Sequence, residues 1–381
     1  MREFIEGSQA VAKLINLIKP AVVSAYPITP QTHIVEALAD YKARGEADYE
    51  YVLAESEFAA ASIIEGAAAR GVRVYSATSS QGLLLMAEVL FNIAGMRLPI
   101  VMTVANRALS APINIWNDQQ DAVTVRDSGW IMLYAEDNQE AMDMHLEAYK
   151  IAETLNLPVM VNMDGYVLTH TYEPVDVPEK KFVDKFLPKY QPSAGSFLDV
   201  KNPVSLGSFA TPETYMQIRE KLFNDVDNSK KIIQQVHREF KKQFKRGSGN
   251  GLVETYKITD AEIILVSFGS VLGTLKDVVD EERKKGKKIG ILKIRCFRPF
   301  PKAAVTKYLK KAKNIAVIEK CVSLGNEGIL ANEIKAAAYD VKLTGQINSF
   351  VVGLGGKDVT KKDIQRIIYS KIKNKTEFIY E

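Results

Sequence analysis

Short, nearly uninterrupted apolar runs punctuate the first 165 residues of the chain. They are "AVVSAY" (21–26), "YEYVL" (49–53), "VRVYSA" (72–77), "PIVMTVA" (99–105) and "LPVMVNM" (157–163). A strand with almost no polar face must be covered on both sides, which is the position of a strand in a parallel sheet. Longer helical patterns lie between these runs, at 33–44, 56–70, 80–96 and 138–155. This alternation predicts an α/β, doubly wound parallel-sheet domain.

The same pattern recurs near the C-terminus, with strands expected at 262–268, 289–294, 314–319 and 347–353. A chain of 381 residues exceeds one ordinary core, so two domains are expected. Residues 171–211, rich in Pro, Lys and Ser without a clear period, read as a surface excursion, and 212–246 as one long charged helix. The segment "RGSGNG" (246–251) has linker chemistry. The expected division is a first domain at 1–245, a linker at 246–256 and a smaller α/β domain at 257–381.

Composition removes several classes of function. No apolar run approaches the roughly 20 residues that span a bilayer. The N-terminal "MREFIEGSQAVAKL" carries acidic residues and no long apolar core, unlike a secretory signal. A cytoplasmic protein without membrane contact is expected. The net charge is only +4, and the densest basic run, "KKQFKRG" (241–247), closes the long polar segment. That run reads as a solvated helix end, so no nucleic-acid partner is expected. Cys296 and Cys321 form no CxxC and have no nearby histidine. Two thiols cannot hold an iron–sulfur cluster, which takes four ligands, and no metal site is expected in this chain. Both should pack as small hydrophobes.

The familiar catalytic signatures are also missing. None of the four histidines, His33, His145, His170 and His237, sits in a nucleophile or metal motif, and no GxSxG elbow or P-loop occurs. His145 reads as structural and His170 as a loop contact. The glycine-rich turns "SFGSVLGT" (267–274) and "VVGLGGKDVT" (351–360) fail the GxGxxG pattern. They fit tight strand-to-helix turns, with a backbone anion site as the alternative. The helix "ESEFAAASIIEGAAARG" (55–71) is dominated by small residues, which fits either helix propensity or a close helix seam between subunits.

What remains is a group of polar residues after successive strands of the first domain, where doubly wound sheets bind ligands. Thr29 follows the first strand, Glu55 and Glu57 the second, "ATSSQG" (77–82) the third and "NRALS" (106–110), with Arg107, the fourth. Each has a structural alternative. Thr29 could cap a helix with Pro30 at its first position. Glu57 could complement a helix dipole. Arg107 could belong to a structural ion pair.

Four ordered segments, "YPITPQT", "ESEFAAASIIEGAAARG", "ATSSQGLLLMAEVL" and "NRALSAPINIWNDQQD", resemble the alpha subunit of the pyruvate:ferredoxin oxidoreductase family and its 2-oxoacid oxidoreductase relatives. The resemblance extends from "EGSQAVA" to "GLGGKDVT". It implies a pyrimidine-type thiamine-diphosphate-binding domain followed by a transketolase-C-terminal-like domain. The implied activity is oxidative decarboxylation of a 2-oxoacid, most simply pyruvate, to an acyl-CoA with reduction of ferredoxin.

By motif, Glu57 matches the glutamate that hydrogen-bonds the pyrimidine N1′, with Glu55 as the rival. Arg107 matches the arginine that pairs with the substrate carboxylate, and Thr29 the threonine whose hydroxyl meets the bound oxoacid. Tyr26 and Pro27 would lie against the cofactor. The resemblance also implies beta, gamma and delta-type partner subunits carrying the diphosphate site, Mg2+ and iron–sulfur clusters, with coenzyme A as co-substrate. The nearest approach to the diphosphate motif here is "MDG" (163–165), and no asparagine follows before Asn202. A branched-chain 2-oxoacid as substrate, and a non-catalytic assembly subunit, are the competing expectations.

Overall fold

The structure is a computed structural model that describes residues 1–370 and 375–380. In the first part of the chain the strands are β1 (Arg2–Glu6), β2 (Val22–Ala25), β3 (Glu50–Leu53), β4 (Val74–Thr78), β5 (Val101–Asn106), β6 (Ile131–Tyr134), β7 (Val159–Asp164) and β8 (Tyr172–Asp176). The second part adds β9 (Val253–Tyr256), β10 (Ile263–Ser267), β11 (Ile289–Ile294), β12 (Cys296–Arg298), β13 (Asn314–Glu319), β14 (Gln346–Val352) and β15 (Glu377–Ile379).

A seven-stranded sheet has the order β12-β6-β7-β5-β4-β2-β3, and a six-stranded sheet the order β15-β14-β13-β10-β11-β9. In the first sheet β2 to β7 run parallel and β12 joins β6 antiparallel. The second sheet is parallel except for β9. Strands β4, β5, β6 and β7 are buried along their whole length, which is why their sequences carry almost no polar alternation.

Three expectations about organisation are corrected. The presumed excursion at 171–211 contains β8, which pairs antiparallel with β1, and the helix Lys180–Phe186. The presumed linker at 246–256 ends in β9, whose Val253 to Tyr256 pair with β11. Its glycines form a packed turn: a Cβ at Gly251, whose φ is +89°, would lie 2.9 Å from His237 Cβ. Finally, the segment at 257–381 does not build only its own sheet, because β12 crosses back to form an edge of the first one. The helical pattern at 80–96 is divided at Met86 into Ser80–Leu85 and Ala87–Gly95.

The core therefore runs through both parts. Tyr134 of the first sheet packs at a tilt against Phe268, 4.4 Å between ring centres, and Phe268 likewise against Phe297 at 5.6 Å. A cluster of buried charge joins the helix Asn138–Leu155 to β11. Lys293 Nζ lies 2.7 Å from Glu140, 3.0 Å from Glu136 and 3.2 Å from Glu254. Arg295 reaches Glu140 and Glu147, each at 3.1 Å. Burial opposes the charge on Glu140, but Lys293 and Arg295 outweigh it and pull its pKa down to about 2.

Candidate active site

The carboxyl ends of β5, β4, β2 and β3 are neighbours in one sheet, so the loops after them share one edge. The loop after β2 carries Tyr26, Pro27 and Thr29. Gln31 pins it, donating from Nε2 to the Ala77 carbonyl at 2.7 Å and to the Tyr26 carbonyl at 3.2 Å. Pro30 is buried against Gly165, where an added Cβ would fall 2.5 Å from Pro30 Cγ. The following helix starts at Thr32 with Gln31 at its cap position, so Thr29 is not a helix cap. Its hydroxyl makes no hydrogen bond to any described residue, while its carbonyl is held in place by Arg107.

After β3, Ser56 caps the helix Glu57–Ala69 by accepting from Ala59 N at 3.2 Å. The cap fixes the two glutamates differently. Glu55 is exposed, whereas Glu57 sits at the first helical position and is 7% exposed. Among the described residues the Glu57 carboxyl has no hydrogen-bond or ion-pair partner. It packs directly on the backbone of Gly82, where a Cβ would lie 2.5 Å from Glu57 Oε1 and 2.7 Å from Thr78 Oγ1. Thr78 Oγ1 is itself buried without a partner. A glycine at 82 thus leaves room for a carboxyl and a hydroxyl that both lack protein partners.

Arg107 follows β5 and is 8% exposed. Its Nη1 donates to the Thr29 carbonyl and its Nε to the Asn114 carbonyl, both at 2.9 Å. It forms no salt bridge with a described carboxylate, which removes the structural ion-pair alternative. Burial pulls its pKa below the ordinary arginine value, with Tyr166 and Asp121 acting in the opposite sense. A guanidinium has five N–H donors, so those on Nη2 and one on Nη1 stay available for a planar anion.

Asp121, which the sequence reading did not single out, organises this edge. Its Oδ2 accepts from Ser80 N at 2.9 Å and Arg107 N at 3.0 Å. Its Oδ1 accepts from Asn106 Nδ2 at 3.0 Å and Ala122 N at 2.7 Å. Burial pushes its pKa up to about 7, while these donors pull it down. The carboxylate ties the turn after β4, where Ser80 has φ +49°, to the turn after β5. Only its place in an Asn/Asp/Gln-rich run following Arg107 could have hinted at this.

The remaining candidates resolve as structural features. His145 is buried, with Nδ1 on the Ala141 carbonyl at 2.7 Å and Nε2 on Thr103 Oγ1 at 2.5 Å. His170 packs at a tilt against His33, 4.3 Å between ring centres. Cys296 and Cys321 are both free and buried. Asp164 of the "MDG" segment contacts Ser270 N at 3.1 Å, Gln119 Nε2 at 2.9 Å and Lys320 Nζ at 3.2 Å, so it joins the two sheets.

Two family models cover most of the chain. One, described as pyruvate flavodoxin/ferredoxin oxidoreductase, thiamine diphosphate-binding, matches residues 15–238. The chain belongs to the pyruvate:ferredoxin oxidoreductase family. The other model, the pyruvate:ferredoxin oxidoreductase core domain II, matches residues 261–364.

Within this family the chain is 51% identical to pyruvate synthase subunit PorA of Methanocaldococcus jannaschii, over 96% of this chain and 93% of the relative. It is 43% identical to ketoisovalerate oxidoreductase subunit VorA of Pyrococcus horikoshii, over 96% of this chain and 93% of the relative. A solved 2-oxoglutarate:ferredoxin oxidoreductase from Magnetococcus marinus, with 2-oxoglutarate, coenzyme A and succinyl-CoA bound, superposes with a TM-score of 0.75 at 19% identity. It covers 96% of this chain and 64% of that one, and the likeness extends to the fold. The first domain of this chain is accordingly a thiamine-diphosphate-binding domain of the family, and the expected mixed α/β architecture holds.

Proposed function

We propose that the chain is the alpha subunit of a pyruvate synthase, and that Glu57, Arg107 and Thr29 are its contribution to the active site. The observation that carries this reading is a pair of buried ionisable groups, Glu57 and Arg107, that have no ion-pair partner among the described residues and lie on one sheet edge. Leaving a buried charge unpaired costs free energy, so such groups fit a site completed by something the chain does not contain.

The residues present fit an aminopyrimidine. The partnerless Glu57 carboxyl, next to the side-chain-free Gly82, would hold the proton shared with N1′, and Tyr26 and Pro27 would flank the ring. Thiamine diphosphate, when bound, supplies the carbon nucleophile and electron sink that decarboxylation of a 2-oxoacid needs. Arg107 would bind the oxoacid carboxylate through its free Nη donors, and the Thr29 hydroxyl would donate to the oxoacid beside it. Held this way, the 2-carbonyl is oriented for attack before the reaction begins.

The reading assigns the diphosphate, Mg2+ and iron–sulfur clusters to beta, gamma and delta-type partner subunits, with ferredoxin as acceptor and coenzyme A as co-substrate. It places the complex in the cytoplasm. No helix among the described residues is long and apolar enough to cross a membrane.

The test is substrate-dependent viologen reduction by the purified complex, with pyruvate and 3-methyl-2-oxobutanoate compared. Pyruvate should give the higher kcat/KM, and Glu57→Ala should lower kcat by at least about 100-fold with the complex still assembled. Preference for the branched substrate would move the chain to the ketoisovalerate class. Full activity of Glu57→Ala would remove the cofactor role.

A further inference from the structure

We propose that Asn114 is a positioning residue for the substrate carboxylate, and that through it the second domain takes part in substrate binding. The inference rests on the reading of Arg107 as the carboxylate-binding group. Two carbonyls anchor that guanidinium. One, on Thr29, belongs to a loop pinned within the first domain; the other, on Asn114, belongs to a surface loop. Ile113 is 81% and Trp116 53% exposed, so little apolar packing fixes this stretch. A loop without a packed face does not hold a carbonyl in one orientation by itself.

Within the first domain the loop is held by Ala108 N donating to the Trp116 carbonyl at 3.0 Å, and the second domain adds a constraint on Asn114 itself. Asn114 Nδ2 donates to the Gly355 carbonyl at 3.0 Å, and its Oδ1 accepts from Trp116 N at 2.8 Å. The amide is thereby bonded at both ends, once across the domain junction and once within its own loop. At Gly355 and Gly356 the junction is closed further by backbone donors. Gly355 N reaches Asp118 Oδ2 at 3.1 Å, and Gly356 N reaches the Asn117 carbonyl at 2.6 Å.

The turn is shaped for this contact. Gly355 and Gly356 have φ of +60° and +82°. A Cβ at Gly355 would fall 2.6 Å from Asn114 Nδ2, and one at Gly356 would fall 2.3 Å from Trp116 Cβ. The glycine-rich turn after β14 therefore serves as a socket for the arginine loop. Only two hydrogen bonds separate the second domain from the guanidinium, namely Gly355 to Asn114 and Asn114 to Arg107. If the Asn114 carbonyl turns away, the guanidinium plane is free to swing, and one arm of a bidentate carboxylate contact is lost.

The experiment uses the assembled complex, with pyruvate varied at saturating coenzyme A and viologen. Asn114→Ala should raise the pyruvate KM about three- to tenfold, the worth of one hydrogen bond, with kcat within about twofold. The inhibition constant of oxamate, a pyruvate isostere that keeps the carboxylate, should rise by the same factor, and the KM for coenzyme A should stay fixed. Gly355→Ala approaches from the other domain and leaves Asn114 and Arg107 chemically intact. It should reproduce the effect, and it keeps the test open if Asn114→Ala fails to assemble.

Because Asn114 acts through Arg107, adding Asn114→Ala to Arg107→Lys should produce no further rise in KM. An additive rise would place the effect of Asn114 elsewhere and overturn the proposal. So would an unchanged pyruvate KM in the Asn114→Ala and Gly355→Ala complexes while Arg107→Lys raises it, and in that case the role of Arg107 would stand. An unchanged KM in Arg107→Lys would instead overturn the underlying reading of the site.

Discussion

Two regions of this molecule bury charge, and they do so in opposite ways. Between the helix Asn138–Leu155 and β11, Lys293 touches three carboxylates and Arg295 two. Alongside them His237 faces Glu147 at 3.1 Å, and Arg246 forks onto Asp143 at 2.6 Å. At the ends of β2 to β5, Glu57 and Arg107 are also buried but form no ion pair with any described residue. The first arrangement pairs its charges within the chain and ties the helix to the second sheet. The second is electrostatically incomplete, and the binding of cofactor and substrate would complete it.

The contrast can be broken by substitution. The largest effect should come from Lys293→Met, which removes the cation that Glu136, Glu140 and Glu254 all share and leaves only Lys276 and Arg295 to offset them. A loss of about 3–5 kcal/mol is expected, seen as a lower melting temperature of the complex. An unchanged melt would mean that the cluster does not hold the domains together.

Acid should sharpen the same point with a smaller effect. The folded pKa of Glu140 is depressed to about 2, below its ordinary value. Its contribution is therefore complete above the ordinary carboxylate range and is lost as pH falls from there towards 2. Glu140→Gln should reduce the slope of unfolding free energy against pH in that window by up to about 1.4 kcal/mol per pH unit. An identical slope in the variant would contradict the assignment.

How much of this was legible in the sequence follows from where each signal resides. Strands β4, β5 and β7 are buried on both faces, and their apolar runs announce them. Strands β1, β8 and β12 lie at edges, are short and find partners more than a hundred residues away, so no local pattern marks them. Glu57, Arg107 and Thr29 could be proposed from the sequence because they sit at the carboxyl ends of recognisable strands within distinctive motifs. The fold buries Glu57 and leaves Glu55 exposed, and the helix boundary removes the cap alternative for Thr29. Asp121 and Asn114 were not reachable. Their chemistry is defined by the donors that the fold brings to them, some from another turn of the sheet and some from the other domain.

If the unpaired charge at the strand ends is kept for ligands and not for folding, removing it should cost activity and spare stability. The most direct test is Arg107→Ala in the assembled complex, with kcat/KM for pyruvate and melting temperature measured on the same preparation. A fall in kcat/KM of about 100-fold or more is expected, with a stability loss of no more than about 1–2 kcal/mol, since two hydrogen bonds to loop carbonyls are lost but no ion pair is broken. A stable, fully active variant, or one whose loss of activity is matched by a loss of several kcal/mol in stability, would contradict it.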